Sequence, residues 1–355
     1  MRIVLDAMGS DRCPVPDIEG AVLAARANGD TIILIGDESV IRRELAKHKT
    51  EGLSIEVVHA PQAVTMSDKP SQVARAKPDS SMALGMALVR DGQADAFVTA
   101  GNTGAVLALA TLTVLKRIPG VKRPAITSIV KIGGKSLILI DLGANADARP
   151  EWLVQFGIMG SLYVERVLGQ EKPRVGLLSN GEEEGKGNEL VKATAVLLSQ
   201  THLNFIGNVE PKEMLEGVAD VVVADGFVGN IALKSMEALG ETLFGLIVDG
   251  FKSTANPLTK IGALLVRPVL REVYRQVDPF ETGGAPLLGV NGVVIIGHGR
   301  TNAKGIKNAI FQAHSAVEGG IVAAIKDGLG RFAAAPDEAG DDPAKAPTPG
   351  IVSQE

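Results

Sequence analysis

The chain alternates between short, almost continuously apolar runs and longer stretches in which apolar residues recur every three or four positions. Runs that are apolar at nearly every position indicate parallel strands covered on both faces, whereas the longer spacing indicates amphipathic helices. We predict strands at residues 2–5, 31–35, 55–59, 95–99, 137–141, 174–178, 220–224 and 293–297. The clearest helical stretches are residues 80–91, 151–168 and 188–200. This alternation predicts an α/β fold built on a layered, mainly parallel sheet.

Two segments depart from this alternation. Residues 253–278 have a helical pattern interrupted by Pro257 and Pro268, so we predict a protruding helical hairpin of two short helices bent at the second proline. From residue 333 onward the chain is rich in Ala, Pro, Asp and Gly and has almost no large apolar residues. This composition predicts a disordered tail over residues 333–355 and one α/β domain over residues 1–332.

Five predicted strands are followed by loops that are rich in Gly, Asp and Asn. They cover residues 6–11, 99–104, 141–145, 179–189 and 225–230. In an open parallel sheet, ligands bind beyond the carboxyl ends of the strands, so we expect these loops to form a wide polar cleft for an anion. Any one of them alone could be an ordinary strand-to-helix turn. Our candidate substrate-binding residues are Asp6, Gly9, Asn102, Thr103, Asn145, Asn180, Gly181, Glu182, Asp225 and His298.

Known catalytic and cofactor signatures are missing from these loops. No Gly-x-Gly-x-x-Gly follows the first strand, and residues 181–186 are one residue too short for a P-loop. The loop aspartates could hold Mg²⁺, but carboxylates at strand ends more often cap helices, so we predict no metal and no cofactor. His298 either acts in catalysis or only hydrogen-bonds the adjoining loops. The sequence lacks a Gly-x-Ser-x-Gly elbow, and we therefore expect charge stabilisation and positioning rather than a protein nucleophile.

Composition narrows the class of protein. The 355 residues include 36 Lys and Arg against 41 Asp and Glu, a net charge of −5 that argues against a nucleic-acid binder but permits a local basic patch. The single cysteine, Cys13, cannot form an intrachain disulfide and favours a reducing, cytoplasmic location. No apolar run reaches the roughly 18 residues that a membrane-spanning helix needs.

The loops carry motifs that resemble the bacterial phosphate acyltransferase family, in order, from residue 1 to about 327. The motifs are DAMG at 6–9, DKPSQ at 68–72, SSM at 80–82, AGNTG at 100–104, LGAN at 142–145, NGEEEGKGNE at 180–189, DGFVGN at 225–230, GGAPLLGVNG at 283–292 and HG at 298–299. Three positions depart from the usual pattern of the family. Ser10 and Pro211 stand where Gly is common, and Thr282 stands where Tyr is usual.

The resemblance implies a reaction, a fold and partners. The reaction would convert acyl-carrier-protein thioester and inorganic phosphate into acyl phosphate and free carrier protein. The fold would be that of isocitrate and isopropylmalate dehydrogenases, which phosphate acetyltransferases share. The enzyme would be a homodimer in the cytoplasm, associated with the membrane surface. Its product would pass to a membrane glycerol-3-phosphate acyltransferase for phospholipid synthesis.

Two residues are our candidates for the chemistry. Phosphate is already an anionic nucleophile, so the barrier lies in bringing it to a thioester and stabilising the oxyanion that forms. Lys186, flanked by two glycines, would neutralise the phosphate or the oxyanion, and Asn230 would donate a hydrogen bond to the carbonyl oxygen. The alternative for Lys186 is a solvated lysine beside three glutamates.

Two surfaces are candidates for partners. An acidic carrier protein needs local positive charge, which Arg75 and Lys77, or Arg267 and Arg271, could supply; each pair could equally be an ordinary solvated basic face. Apolar residues backed by Lys and Arg suit a helix lying on an anionic membrane. The residues that we expect to contact it are Leu258, Ile261, Leu264 and Leu265, although the same stripe could pack against a dimer mate.

Other functions remain open. A phosphate acetyltransferase-like enzyme would use acyl-coenzyme A instead of a carrier protein. A dehydrogenase of the same fold would need NAD and Mg²⁺, against which the missing fingerprints count. A non-catalytic anion-binding protein could have the same cleft.

Overall fold

All strands of the computed structural model, which describes residues 1–132, 134–253 and 256–332, belong to one eleven-stranded sheet. Its spatial order is β3-β2-β1-β4-β11-β10-β5-β6-β9-β7-β8. The strands are β1 (Arg2–Asp6), β2 (Thr31–Gly36), β3 (Ile55–His59), β4 (Ala96–Thr99), β5 (Ala125–Ile132), β6 (Lys135–Ile140), β7 (Arg174–Leu178), β8 (Asn204–Val209), β9 (Val221–Val223), β10 (Gly284–Leu288) and β11 (Val293–Gly297). The eight strands that the apolar runs predict are all present.

Helices cover both faces of this sheet. They are α1 (Val15–Asn28), α2 (Glu38–Leu45), α3 (Pro70–Ala76), α4 (Ser81–Arg90), α5 (Thr103–Ala108), α6 (Pro150–Val167), α7 (Glu189–Ser199), α8 (Pro211–Glu216), α9 (Gly226–Ser253), α10 (Pro257–Val277), α11 (Pro279–Thr282), α12 (Ala303–Glu318) and α13 (Ile321–Phe332). A π-helical turn, Leu109–Thr113, continues α5. Alternate residues of β1 face two separate apolar clusters, Ile3 and Leu5 on one side and Val4 on the other. The continuously apolar strand pattern therefore reflects burial on both faces.

The sheet is mainly parallel, as predicted, but it contains two parallel blocks that run in opposite directions. One block is β3-β2-β1-β4-β11, and the other is β6-β9-β7-β8. Antiparallel pairing of β11 with β10, β10 with β5, and β5 with β6 joins them. The loops that we expected at one edge of a parallel sheet thus follow strands of opposite direction.

A stagger between the blocks nevertheless brings their carboxyl ends together. Thr99, the last residue of β4, pairs with Ile296 of β11, and Ile296 in turn pairs with Ala285 of β10. Ile140, the last residue of β6, pairs with Thr127 of β5, whose hydroxyl donates to the Pro286 carbonyl of β10 at 3.0 Å. The ends of β4 and β6 are therefore about one residue apart along β10, and the cleft lies in the middle of the sheet.

The sequence does not predict three of the strands, β5, β8 and β10, because their residue patterns differ from those of buried parallel strands. β5 and β10 form the antiparallel connection, and in β10 Pro286 follows two small residues, Gly284 and Ala285, a pattern that in the sequence indicates a loop. β8 lies at the edge of the sheet and carries polar residues and Gly207. Tertiary pairing rather than local apolar content establishes these three strands.

The helical hairpin differs from the prediction. α10 continues through Pro268 as one helix of 21 residues, so the two short helices that we expected over residues 253–278 are wrong. Its partner is α9, and the hairpin spans both helices, with Phe244 stacked on Tyr274 at 4.4 Å between ring centroids. Packing along α9 outweighs the one hydrogen bond that a proline removes. No helix in the described part of the chain is long and apolar enough to cross a bilayer. The predicted tail at 333–355 lies outside the described residues.

Candidate active site

A pocket of about 180 Å³, lined by both polar and apolar residues, lies where the two blocks of the sheet meet. Its lining includes Thr103 after β4, Leu142 after β6, Asn230 in the first turns of α9, Gly284 at the start of β10 and His298 after β11. Residues that are far apart in sequence, and on strands of opposite direction, thus border one space. Of the sequence-predicted site residues, Thr103, Asn230 and His298 line it.

The loops after β1, β4 and β11 are bound tightly to one another on one side of the pocket. The buried Asp6 carboxylate accepts hydrogen bonds from the Thr99 hydroxyl at 2.9 Å and the Met8 amide at 3.1 Å. Gly9 is required there, because a Cβ atom would lie 2.7 Å from the Thr99 hydroxyl. The Asp11 amide donates to the Gly299 carbonyl at 2.8 Å. Asp6 and Gly9 therefore shape the pocket wall.

A second buried carboxyl group supports the loop after β1. The Ser10 hydroxyl donates to Asp17 at 2.5 Å, and the other Asp17 oxygen has no hydrogen-bond partner in the described structure. Burial, with a smaller contribution from Asp6, raises the pKa of Asp17 to about 7, although the Ser10 hydrogen bond opposes the shift. Ser10, where the family commonly has Gly, thus gives its loop a side-chain anchor to α1.

The opposite wall is built around the buried Asp141 carboxylate, at the end of β6. It accepts hydrogen bonds from the Ile126 and Ala144 amides and from both nitrogens of Asn145, at 2.8–3.1 Å. The Asn145 carbonyl accepts from the Gly226 amide at 2.8 Å, which fixes the start of α9. Asn145 consequently orients the loop after β6 and connects it to the start of α9.

The first turn of α9 packs closely against this wall. A Cβ atom on Gly229 would lie 2.0 Å from the Asp141 carbonyl oxygen. Asp225 caps the helix, because its carboxylate accepts from the Phe227 and Val228 amides at 2.9 Å. Helix α9 therefore starts in contact with the end of β6. The Asn230 side chain lies beside Gly143, in the loop that follows β6.

Asn102 is also engaged within the protein. Its carbonyl oxygen accepts from the Ala105 amide at 3.1 Å, and its amide nitrogen donates to three carbonyl groups of the loop before α3 at 3.1–3.3 Å. Asn102, Asn145 and Asp225 thus have structural partners, and any part that they take in substrate binding stays a prediction.

His298 lies between α9 and the loop after β1. Burial, followed by the charges of Lys234 and Arg300, lowers the pKa of the imidazole. The Arg300 amide donates to Nδ1 at 3.3 Å, so the neutral ring carries its proton on Nε2. This nitrogen is the hydrogen-bond donor that the ring keeps for a ligand.

Sequence reasoning missed Lys234 and Glu237. With Asn230 they follow one face of α9 at spacings of four and three residues, and all three line the pocket. The Lys234 ammonium donates to Glu237 at 2.9 Å. The signal in the sequence was this helical spacing, which becomes visible only once a helix is known to begin at residue 226.

Lys186 lies on the exposed loop after β7 and is not among the residues that line the pocket. Its ammonium is 3.9 Å from the Glu183 carboxylate, and the Gly187 amide donates to Asn180 at 3.0 Å, so the loop contacts itself. Gly181 lies against both Glu183 and the Lys186 stem. The carboxylate of Glu213 raises the pKa of the exposed Glu182. Because β7 neighbours β9, this loop lies beside the turn into α9.

The predicted partner surfaces are exposed to different degrees. Arg75, Arg267 and Arg271 are exposed, whereas Lys77 is bound to Asp68 at 2.6 Å and to the Ala63 carbonyl. The four predicted membrane residues are among the most exposed apolar side chains, with exposed fractions of 55–76% for Leu258, Ile261, Leu264 and Leu265. In the described residues, no group of three or more His, Cys, Asp and Glu is arranged to hold a metal ion.

Sequence comparison places the chain among known proteins. The model of a family described as "Fatty acid synthesis protein" matches residues 1–324. A phosphate acyltransferase of Geobacter sulfurreducens is 48% identical over 90% of this chain and 92% of its own length. A phosphate acyltransferase of Herpetosiphon aurantiacus is 45% identical over 93% of this chain and 98% of its own length.

Solved structures confirm the expected fold. The EutD phosphotransacetylase from Staphylococcus aureus matches with a TM-score of 0.57 at 18% identity, over 89% of this chain and 94% of its own. A 4-hydroxythreonine-4-phosphate dehydrogenase from Klebsiella pneumoniae matches with a TM-score of 0.52 at 16% identity, over 91% and 99% of the two chains. At this identity the likeness concerns the fold alone.

Gly229→Ala tests the contact between α9 and β6. The added methyl group would clash with the Asp141 backbone, so we expect a loss of stability of roughly 1–3 kcal/mol, typical of overpacking, together with displacement of Asn230. The control is Gly245→Ala on the same helix, where a Cβ would meet nothing within 4 Å. Alanine favours a helix, so this control should leave stability equal or up to about 1 kcal/mol higher. Urea unfolding measures both variants, and equal behaviour of the two would contradict the prediction.

Asp17→Asn tests the buried carboxyl group through the pH dependence of stability. In the unfolded chain the carboxyl ionises near 3.8, but in the folded protein it stays protonated to about 7. Its contribution is thus complete below about pH 4 and is lost as pH rises towards 7, by a few kcal/mol. We expect the uncharged variant to flatten this fall in the free energy of unfolding. The exposed Asp249→Asn should keep the wild-type slope, and an unchanged slope in Asp17→Asn would refute the assignment.

Proposed function

The chain belongs to the phosphate acyltransferase family, and we propose that it transfers a long-chain fatty acyl group from acyl-carrier protein to inorganic phosphate. Transfer of an acyl group to phosphate is the activity for which its relatives are named. The carrier-protein donor and the assignments below are our proposals. The product, an acyl phosphate, serves phospholipid synthesis.

One observation carries the proposal: the pocket offers positive charge and hydrogen-bond donors side by side. Asn230, Lys234 and His298 line it together, and Thr103 begins α5 at its edge. Phosphate attack on a thioester needs an anion held near a carbonyl group and donors for the oxyanion. The residues that line the pocket match those needs.

The steps follow from this arrangement. A phosphate oxygen attacks the thioester carbonyl carbon, and the carbonyl oxygen becomes an oxyanion that accepts from the Asn230 amide. When the oxyanion collapses, the carbon–sulfur bond breaks and the sulfur leaves with the electron pair as a thiolate. The thiolate becomes the free thiol by taking up, through solvent, the proton that hydrogenphosphate loses as it becomes acyl phosphate. The neutral His298 ring, whose Nδ1 is already an acceptor, supports the departing negative charge through Nε2–H. The pKa of His298 is lowered, which keeps the ring neutral near pH 7.

Two lysines supply the positive charge in this proposal. Lys234 is inside the pocket and would exchange Glu237 for a phosphate oxygen. Lys186 lies on the neighbouring loop, with only a 3.9 Å contact to Glu183, and would meet the phosphate from outside. Charge-assisted hydrogen bonds to phosphate are shorter and stronger than neutral ones.

We place the carrier protein and the membrane on separate surfaces. Arg75 lies on α3, which packs against α5 beside the pocket, and it would attract the acidic carrier protein; Lys77 would first have to leave Asp68. Arg267 and Arg271 on α10 are the second candidates. The exposed apolar residues of α10 would contact an anionic membrane, where a membrane glycerol-3-phosphate acyltransferase takes the product. We also propose a homodimer, since α9 exposes Leu239, Leu243 and Leu246.

An acyl-coenzyme A donor is the second candidate function, because the fold is that of phosphotransacetylases. The deciding assay mixes the protein with palmitoyl-carrier protein and phosphate, traps acyl phosphate with hydroxylamine and detects palmitoyl hydroxamate by mass spectrometry. Palmitoyl-coenzyme A and an NAD reduction assay serve as comparisons. We expect the carrier-protein donor to have the higher kcat/KM. Equal or better use of coenzyme A would overturn the donor, and no hydroxamate from either would overturn the proposed function.

Removing the two lysines separately tests the charge proposal. We expect Lys234→Ala and Lys186→Ala each to lower kcat/KM about a hundred- to a thousand-fold, the effect of losing one donor at a developing charge. The controls are Lys212→Ala and Lys192→Ala, which remove lysines that are paired with an acid on their own helix and lie outside the pocket. Circular dichroism confirms folding. Near-normal turnover in a folded variant removes that lysine from the site.

Leu258→Glu with Leu265→Glu tests the membrane contact. Both side chains are about three-quarters exposed, so the change should leave the fold intact while it opposes insertion into anionic headgroups. We expect a dimer, active on soluble substrate, that no longer sediments with phosphatidylglycerol vesicles. Val196→Glu with Leu215→Glu adds the same charge elsewhere and should still sediment. Undiminished sedimentation of the first variant would refute the membrane role, and loss of the dimer would identify an interface.

A further inference from the structure

A recess of about 90 Å³ adjoins the reaction pocket on the side of the helical hairpin. The two spaces share five lining residues, namely Ser128, Leu233, Glu237, Pro279 and Thr282. Because the same side chains border both, the recess lies directly beside the pocket. The proposed phosphate-transfer chemistry makes no use of it.

The inner walls of the recess are mostly apolar and only half-buried. Ile129 and Val130 come from β5, and Leu233 and Met236 come from α9. Covering such an apolar surface with a hydrocarbon removes it from water and lowers the free energy of the complex. A ligand with apolar methylene groups therefore fits this recess better than a hydrated one.

The acidic groups at the recess already have partners. Glu237 accepts from Lys234 at 2.9 Å. The Asp278 carboxylate accepts from the Phe280 amide at 3.0 Å and lies 3.4 Å from the Lys304 ammonium. These two acidic groups consequently do not require a charged ligand. Lys131 also lines the recess, but it is exposed and can stay hydrated.

Beyond the recess, further apolar side chains line the hairpin of α9 and α10. The stacked Phe244 and Tyr274 come next along α9 and α10, and Phe244 borders an open groove of about 610 Å³ between the two helices. Val248, Phe251 and Leu264 also line this groove. Pocket and recess are each smaller than the roughly 300–1,000 Å³ of a usual small-molecule site, so a long ligand would have to extend towards the groove.

We propose that the recess binds the acyl chain of the substrate, next to its thioester, and directs the chain along the base of the hairpin. The inference rests on the proposed function, because it takes the pocket as the place of acyl transfer. The other arm of the thioester is the pantetheine of the carrier, which contains amide groups. Burying these amides against apolar walls costs free energy unless they find hydrogen-bond partners. The apolar recess thus receives the hydrocarbon arm, and the pantetheine arm leaves through the open side of the pocket.

The experiment measures selectivity for chain length. Met236→Trp fills the recess from α9 and Val130→Trp fills it from β5, and neither residue lines the reaction pocket. For wild type and variants, kcat/KM is measured with palmitoyl- and butyryl-carrier protein. We expect the palmitoyl-to-butyryl ratio to fall at least tenfold in both variants, because the short chain does not reach past the blocked position.

The control variants introduce large side chains at positions outside the recess and the reaction pocket. Leu215→Trp on α8 and Val196→Trp on α7 replace exposed residues outside both spaces and should keep the wild-type ratio. An unchanged ratio in a folded Met236→Trp or Val130→Trp overturns the inference, as does a matching increase of KM for both donors, which would place pantetheine in the recess. A wild-type protein inactive with either chain would instead overturn the proposed function.

Discussion

The site depends on the stagger of two oppositely directed sheet blocks across β10. Carboxyl ends of parallel strands collect ligand-binding loops, yet blocks that run in opposite directions would present those ends on opposite edges. β10 pairs with β11 through residues 284–286 and with β5 through residues 287 and 288, so each block overlaps only part of the strand. The ends of β4 and β6 meet in consequence, and the pocket forms between them.

Buried carboxylates make this meeting point rigid. Asp6 ties β1 to β4, and Asp141 ties β6 to β5 and to the loop that fixes α9. Each accepts several hydrogen bonds and so satisfies a group that burial would otherwise destabilise. Much of the polar content of the loops is therefore scaffold, whereas Thr103, Asn230, Lys234 and His298 are among the side chains that line the pocket and can form hydrogen bonds with a substrate.

Helix α9 connects the chemistry with the surface. It starts in van der Waals contact with β6 through Gly229, carries Asn230 and Lys234 at the pocket, and continues for 28 residues to the hairpin tip. At about 1.5 Å per residue this is roughly 42 Å. One helix thus sets the position of the reacting groups, the apolar recess beside them and the exposed apolar residues on its outer face.

The sequence by itself determined the strand–helix alternation, eight strands, the glycine- and asparagine-rich loops and the family, because these depend on local apolar content and contiguous motifs. Of the residues that it predicted for the site, Asn230, Thr103 and His298 line the pocket. Only the tertiary structure decided that β5 and β10 join opposing blocks, that α10 runs through Pro268 and that Lys234 enters the pocket while Lys186 stays on an outer loop. Those outcomes depend on pairing and packing between residues that are 30 positions apart for Phe244 and Tyr274 and 159 positions apart for Thr127 and Pro286, which local pattern does not encode.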